Sequence, residues 1–153
     1  QKRVLANSKN AKSLYLKLDD YLKDMDRGQT PFTPPVGIIN QLHVRLKNII
    51  NDGGINKQIE NAKKISSYFR SQIQELPLRI FSESPPNAIT ALTPTDGRSA
   101  QKIVTELFDR YGIYVCPNGG ELKDTVLRVA HMGDMDKEYV SVLVSALKDY
   151  YSR

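Results

Sequence analysis

The spacing of apolar residues changes at Pro77, and this change constrains the fold more than any other feature of the sequence. Before it, apolar residues recur every three or four positions from Val36 to Leu76, which predicts two long helices separated by Gly53 and Gly54. After it, the order of patterns is strand, strand, helix, strand, strand, helix. We therefore predict an α+β fold, with a small mixed or antiparallel sheet of about four strands and helices packed on one face.

The elements after Pro77 are short and are separated by turn-forming residues. The strands are expected at residues 78–81, 88–93, 113–116 and 125–132, and the helices at residues 99–111 and 136–151. Proline pairs and glycines stand between these segments, which supports the division.

The composition is that of an ordinary globular domain of 153 residues, with 40% hydrophobic and 25% charged residues. The net charge of +5 favours an anionic ligand or nucleic acid only mildly, because the basic residues are scattered among 17 acidic ones. No strand carries the aromatic pattern of a nucleic-acid-binding sheet, and no apolar segment approaches membrane-spanning length. We expect neither nucleic acid nor a membrane as a partner.

The cysteine and the histidines give little support for a metal or nucleophilic site. Cys116 is the only cysteine and cannot form an internal disulfide, so a reducing cytoplasm is the expected location. It falls on a predicted strand, with nothing nearby to activate a thiol. His43 and His131 have no carboxylate at metal-ligand spacing, so we expect no metal. We expect His131 to form a hydrogen bond at the end of its strand.

Arg128 is the charged residue of an otherwise apolar segment, 126–133, which reads VLRVAHMG. In a strand, Leu127 and Val129 would point to one face and Arg128 to the other. Because both faces carry apolar residues, we expect the strand to be covered on both sides and the guanidinium to be buried. A buried charge costs several kcal/mol unless it is paired. An internal Asp or Glu and a ligand carboxylate both remain open as partners, and the residues alone favour the internal one.

Two threonines precede the first long helix, and a helix N-terminus of this kind is able to bind phosphate. Thr33 is expected to cap a helix whose first residue is Pro34, and Thr30 lies three residues earlier. Pro34 and Pro35 remove two of the amide donors that a phosphate would use. A rigid cap without a ligand is therefore the simpler interpretation, and an anion site remains the alternative.

Three segments together resemble a known family. They are residues 29–36 (QTPFTPPV), 51–54 (NDGG) and 127–133 (LRVAHMG). At this separation they resemble the C-terminal part of class V (fold type I) pyridoxal-phosphate aminotransferases, in the style of the alanine–glyoxylate, serine–pyruvate and 2-aminoethylphosphonate–pyruvate transaminases. The resemblance covers residues 4 to 150, which is nearly the whole chain.

The resemblance implies roles for three residues. Arg128 stands where the family has the arginine that holds the α-carboxylate of the substrate. Thr33 stands where a threonine reaches across a homodimer to the pyridoxal 5'-phosphate of the other subunit. Thr30 replaces a tyrosine that contacts the same phosphate in some relatives.

The resemblance also implies how the chain is organised. Residues 1–34 would be a remnant of the large domain and its connection, and residues 35–153 the C-terminal small domain, beginning with a long interdomain helix. The Schiff-base lysine of the family lies in the large domain, upstream of this chain, so we expect no catalytic residue here and no activity from this chain alone.

The intact protein is expected to be a cytoplasmic homodimer. It would move an amino group from alanine, serine or aminoethylphosphonate to a 2-oxo acid such as pyruvate or glyoxylate. Two alternatives remain. One is another class V enzyme, a desulfurase or lyase, which would need a reactive cysteine on a mobile loop. The other is a non-catalytic α+β module that binds amino acids or nucleic acid and uses Arg128 as an anchor.

Overall fold

The computed structural model describes residues 2–10 and 12–153. The α-helices in this part of the chain are α1 (Lys2–Asn7), α2 (Leu18–Asp26), α3 (Val36–Asn51), α4 (Gly54–Gln72), α5 (Ala100–Tyr111) and α6 (Lys137–Tyr151). The strands are β1 (Leu78–Ile80), β2 (Ile89–Pro94), β3 (Cys116–Pro117) and β4 (Leu127–Ala130). The chain forms two compact units, Gln1–Asn48 and Ile49–Arg153. Among the described residues, no helix combines the length and the apolar character needed to cross a membrane.

The first unit is held together locally by three aromatic rings. The ring centroid of Phe32 lies 5.0 Å from that of Tyr15 and 6.2 Å from that of Tyr21. Aromatic pairs at such distances stabilise each other beyond their burial. The segment that carries Thr30 and Thr33 is thereby attached to α2 and the residues before it.

Helix α3 begins later than the sequence predicted. Its first main-chain bond within the helix runs from the amide of Ile39 to the carbonyl of Pro35 at 3.0 Å, so the helix starts at Val36 and Thr33 does not cap it. The cause is the pair Pro34 and Pro35, because a residue that precedes proline is driven out of the helical region. None of the residues of α3 is buried within this chain.

The second unit contains an antiparallel sheet in the order β1-β2-β4-β3, as the α+β prediction required. Thr90 and Leu92 of β2 pair with Val129 and Leu127 of β4, and all four are buried. This face of the sheet packs against α4, α5 and α6, whose buried members include Ile65, Phe69, Ile103, Leu107, Val140 and Leu147. The core therefore lies on one face of the sheet.

The last two strands are shorter than predicted because neighbouring turns use their amides. The amide of Gly112 donates to Phe108 at 2.9 Å and that of Ile113 to Leu107 at 3.2 Å, which closes α5 instead of starting a strand. The amide of Val126 donates to Leu122 at 3.0 Å. Pairing is left to residues 116–117 and 127–130.

Candidate functional site

Arg128 lies near the middle of β4, on the face of the sheet opposite the core. It pairs with Ala91 on β2 and with Cys116 on β3. Its neighbours Leu127 and Val129 are buried, and Arg128 itself is half-buried. The prediction that this strand is covered on both faces is wrong, because successive side chains alternate and the helices fill only the core face.

The guanidinium of Arg128 is held by β3. Its Nη2 donates hydrogen bonds to the carbonyl oxygen of Pro117 at 2.8 Å and to Sγ of Cys116 at 3.0 Å. Its Nε is buried and has no partner among the residues that the structure describes. The ion pairs of this part of the chain do not include Arg128 either. An internal Asp or Glu, which the residues alone favoured, is therefore not its partner here.

This arrangement leaves a cation with unused donors. A guanidinium has five N–H donors in a planar fork that matches a carboxylate. In Arg128, the two acceptors on β3 are neutral and engage one terminal nitrogen only. A buried donor without an acceptor costs about 1–3 kcal/mol, and more where the group is charged. Because the charge of Arg128 has no anionic partner among the described residues, the site is suited chemically to binding a small carboxylate.

A pocket of about 610 Å³ lies beside Arg128 and Cys116. Most of its wall is apolar and comes from β4, α6, and β3 with the residues just before it, including Ile113, Val142 and Leu143. An apolar cavity with one or two fixed polar groups is the usual form of a small-molecule site. Arg128 is the charged residue of this lining, and the apolar residues form the rest of the wall.

His131 forms the hydrogen bond that the sequence predicted for it. Its Nε2 lies 2.7 Å from Oγ1 of Thr90, which also accepts a bond from Nε of Arg70 at 2.9 Å. The ring of Phe69 lies 5.2 Å from the imidazole, centroid to centroid. His131 is only 1% exposed, and its Nδ1 has no partner in the described part of the chain. This residue therefore joins β4 to β2 and α4 inside the core.

The electrostatics of His131 favour the neutral imidazole. Burial, and next to it the charge of Arg70, lower the pKa of His131 to about 4. The other histidine, His43, is exposed on α3. Within residues 2–10 and 12–153, no group of three or more His, Cys, Asp or Glu is arranged to hold a metal ion.

Sequence reasoning missed Cys116, Arg70 and Thr90 as partners in these networks. The contact of Cys116 with Arg128 follows from the β3–β4 register, which depends on where α5 ends. Arg70 directly follows the buried Phe69 on α4. A cation next to a core position was the sequence signal that could have predicted a buried polar partner for it.

No family model matches the chain. It is 30% identical over 134 residues to the soluble hydrogenase 42 kDa subunit of Anabaena cylindrica, a match that covers 86% of this chain and 34% of that protein. It is 28% identical over 122 residues to the alanine–glyoxylate aminotransferase of Callithrix jacchus, which covers 76% of this chain and 29% of that protein.

The crystal structure of an alanine–glyoxylate aminotransferase from Nostoc sp. matches 77% of this chain and 32% of that one, with a TM-score of 0.70 and 26% identity. The resemblance to class V aminotransferases is confirmed. The chain spans about a third of the length of the relatives it matches. The chain therefore matches only one part of a class V aminotransferase.

The class V resemblance implies pyridoxal phosphate, and the two threonines fit its phosphate unequally. Thr33 is exposed and its hydroxyl makes no hydrogen bond to the described residues, so its proton is available to an anion. Thr30 already donates to the carbonyl of Phe32 at 2.7 Å. Thr30 would have to release Phe32 before it could donate to a phosphate. Thr33 thus fits the role that the resemblance implies, and Thr30 fits it only after a rearrangement.

Proposed function

We propose that the intact protein is a pyridoxal-phosphate-dependent aminotransferase. Residues 35–153 would form its C-terminal small domain, and residues 1–34 a remnant of the large domain and its connection. The observation that carries the proposal is Arg128, a half-buried guanidinium with no carboxylate partner in the described chain, beside an apolar pocket. The match to aminotransferases supports the same conclusion.

In this proposal Arg128 binds the α-carboxylate of the amino-acid substrate. One charge-assisted hydrogen bond from Nη1, together with the Coulomb attraction of the guanidinium, would fix one end of the substrate. A substrate held at its carboxylate loses freedom before the reaction and presents its amino group in one orientation. Pyridoxal phosphate, when bound, supplies the electron sink for the amino transfer. Thr33 would donate its hydroxyl proton to the phosphate of the cofactor bound in the other subunit of a homodimer.

The amino donor is proposed to be small: alanine, serine or aminoethylphosphonate, with pyruvate or glyoxylate as acceptor. The names of two relatives, an alanine–glyoxylate and a serine–glyoxylate aminotransferase, support this range. We place the protein in the cytoplasm, because Cys116 is an exposed free thiol and a reducing compartment preserves such a group. The lysine that reacts with the cofactor is expected upstream, so this chain alone should not transaminate.

The test uses the intact protein and a panel of these amino donors with pyruvate or glyoxylate. We expect a new amino acid to form with at least one donor, and none with the isolated 153-residue chain. No transamination by cofactor-loaded protein with any donor would contradict the proposal. The name of the Anabaena relative provides a second candidate, a subunit of a soluble hydrogenase. Reduction of a viologen dye by hydrogen, without any transamination, would favour that candidate.

A further inference from the structure

Cys116 lies beside Arg128, the residue proposed to bind the substrate carboxylate. The resemblance to aminotransferases assigns Cys116 no role. Its side chain is exposed, it belongs to the pocket wall, and it pairs directly with Arg128 across β3 and β4. Three polar groups meet there: Nη2 of Arg128, the thiol, and the carbonyl of Pro117. Nη2 donates to Sγ at 3.0 Å and to the carbonyl at 2.8 Å, and the thiol donates to the same carbonyl at 3.6 Å.

Every donor in this triangle has an acceptor. The thiol uses its proton on Pro117 and its sulfur lone pair on Arg128, so it both donates and accepts. The two Nη2 protons are shared between the sulfur and the carbonyl. Nη1 makes no hydrogen bond to any described residue and is not among the buried atoms that lack a partner. One side of the guanidinium is thus attached to the edge strand, and Nη1 is left for a ligand.

We propose that Cys116 is a positioning residue for Arg128: its thiol fixes the guanidinium so that Nη1 is presented to the substrate carboxylate. This inference rests on the proposed function. An arginine side chain has several rotatable bonds, and much of its binding energy is lost if it must first be ordered. The Pro117 carbonyl belongs to the main chain, so the side chain at position 116 is the part of this support that a substitution can remove.

The inference separates the roles of two substitutions. Cys116→Val keeps a similar volume and the strand preference but removes both the donor and the acceptor. Cys116→Ser keeps both. In the intact aminotransferase we expect Cys116→Val to raise KM for the amino donor about three- to tenfold, the cost of leaving one long side chain unordered, with kcat unchanged. For Cys116→Ser, which keeps the hydrogen bonds, we expect a KM within about twofold of the wild-type value. If Cys116 only filled space, the valine variant would keep the wild-type KM as well.

A matched control is available on α5, at a residue outside the pocket wall. Thr105 is exposed on α5, and its hydroxyl bonds only to the carbonyl of Gln101 in the same helix. Thr105→Val also replaces a polar side chain by valine, away from the pocket, and should leave KM unchanged. Arg128→Met is the reference variant. If Arg128→Met raises KM and Cys116→Val does not, the positioning role is refuted while the proposed function stands. If Arg128→Met has no effect on KM, the carboxylate role of Arg128 fails, and the positioning role fails with it.

A second measurement needs no transaminase activity, because Cys116 is the only thiol in the chain. Iodoacetate and iodoacetamide both alkylate a thiolate: a carbon–sulfur bond forms, iodide leaves, and the thiol proton goes to solvent. Only iodoacetate carries a carboxylate. We expect the iodoacetate-to-iodoacetamide rate ratio to fall about tenfold in Arg128→Met, since a local cation concentrates anions.

The control for alkylation is Arg79→Met. Arg79 is exposed and lies on the same face of the sheet as Arg128, opposite Thr93 of β2. Its loss removes the same charge without touching Cys116, so the ratio should change less than twofold. An equal ratio in wild type and Arg128→Met would show that the two side chains do not act together in solution, and would overturn the inference whatever the enzyme assays show.

Discussion

The network of Arg70, Thr90 and His131 makes the stability of the second unit depend on pH in a defined window. The folded state holds the pKa of His131 at about 4, because the imidazole is buried and faces Arg70. In the unfolded chain the pKa returns to about 6.5. Above pH 6.5 the imidazole is neutral in both states. As the pH falls below 6.5, only the unfolded state takes up a proton, so the free energy of unfolding decreases until the folded pKa is reached.

The size of this effect follows from the two pKa values. A difference of about 2.5 units corresponds to about 3.4 kcal/mol when the pH has fallen well below 4. Between pH 7.5 and pH 5.0 the loss should be about 2 kcal/mol, while most carboxylates are still ionised. Because other groups also titrate, the informative quantity is the difference between wild type and a variant without the imidazole.

The assay is urea denaturation of the chain at pH 7.5 and pH 5.0 for wild type, His131→Gln and His43→Gln. Glutamine offers Thr90 a polar partner but does not titrate. We expect wild type to lose about 2 kcal/mol more than His131→Gln over this interval. His43→Gln removes the exposed histidine and should behave like wild type. Equal pH dependence in wild type and His131→Gln would refute the reasoning.

Two further substitutions test the packing around the site. Thr90→Val removes the hydroxyl that accepts a hydrogen bond from Arg70 at 2.9 Å and lies 2.7 Å from Nε2 of His131. It should lower the free energy of unfolding, measured by urea titration, by about 1–3 kcal/mol. A change below about 0.5 kcal/mol would count against the network. Asp136→Ala removes the cap of α6, where Oδ1 accepts from the amides of Glu138 and Tyr139 at 2.9 and 3.1 Å, and should cost about 1 kcal/mol by the same assay. Asp136→Asn is its control, because asparagine caps about as well.

The helices were the most predictable part of the fold. Apolar residues at helical spacing gave α4, α5 and α6 to within a few residues, since each buries one face in the core. The start of α3 was missed by two residues because Pro35 disfavours a helical conformation at Pro34, a local effect stronger than the capping signal of Thr33.

The sheet was less predictable, because its pairing joins residues that are distant in sequence. The order β1-β2-β4-β3 and the pairing of Cys116 with Arg128 depend on where α5 ends and how the next turn closes. Arg128 itself was identified as a charge in need of a partner. Its partners on β3, and the absence of a carboxylate partner within the described chain, required the register.

The most direct test of the central claim is the KM for the amino donor in the intact protein carrying Arg128→Met. A charged hydrogen bond to a carboxylate is worth about 1.5–3 kcal/mol, so we expect KM to rise about 10- to 150-fold while the absorbance of the bound cofactor persists. Arg79→Met, which removes a cation from the same face of the sheet, should leave KM within about twofold of the original. Equal KM values for wild type and Arg128→Met would contradict the account.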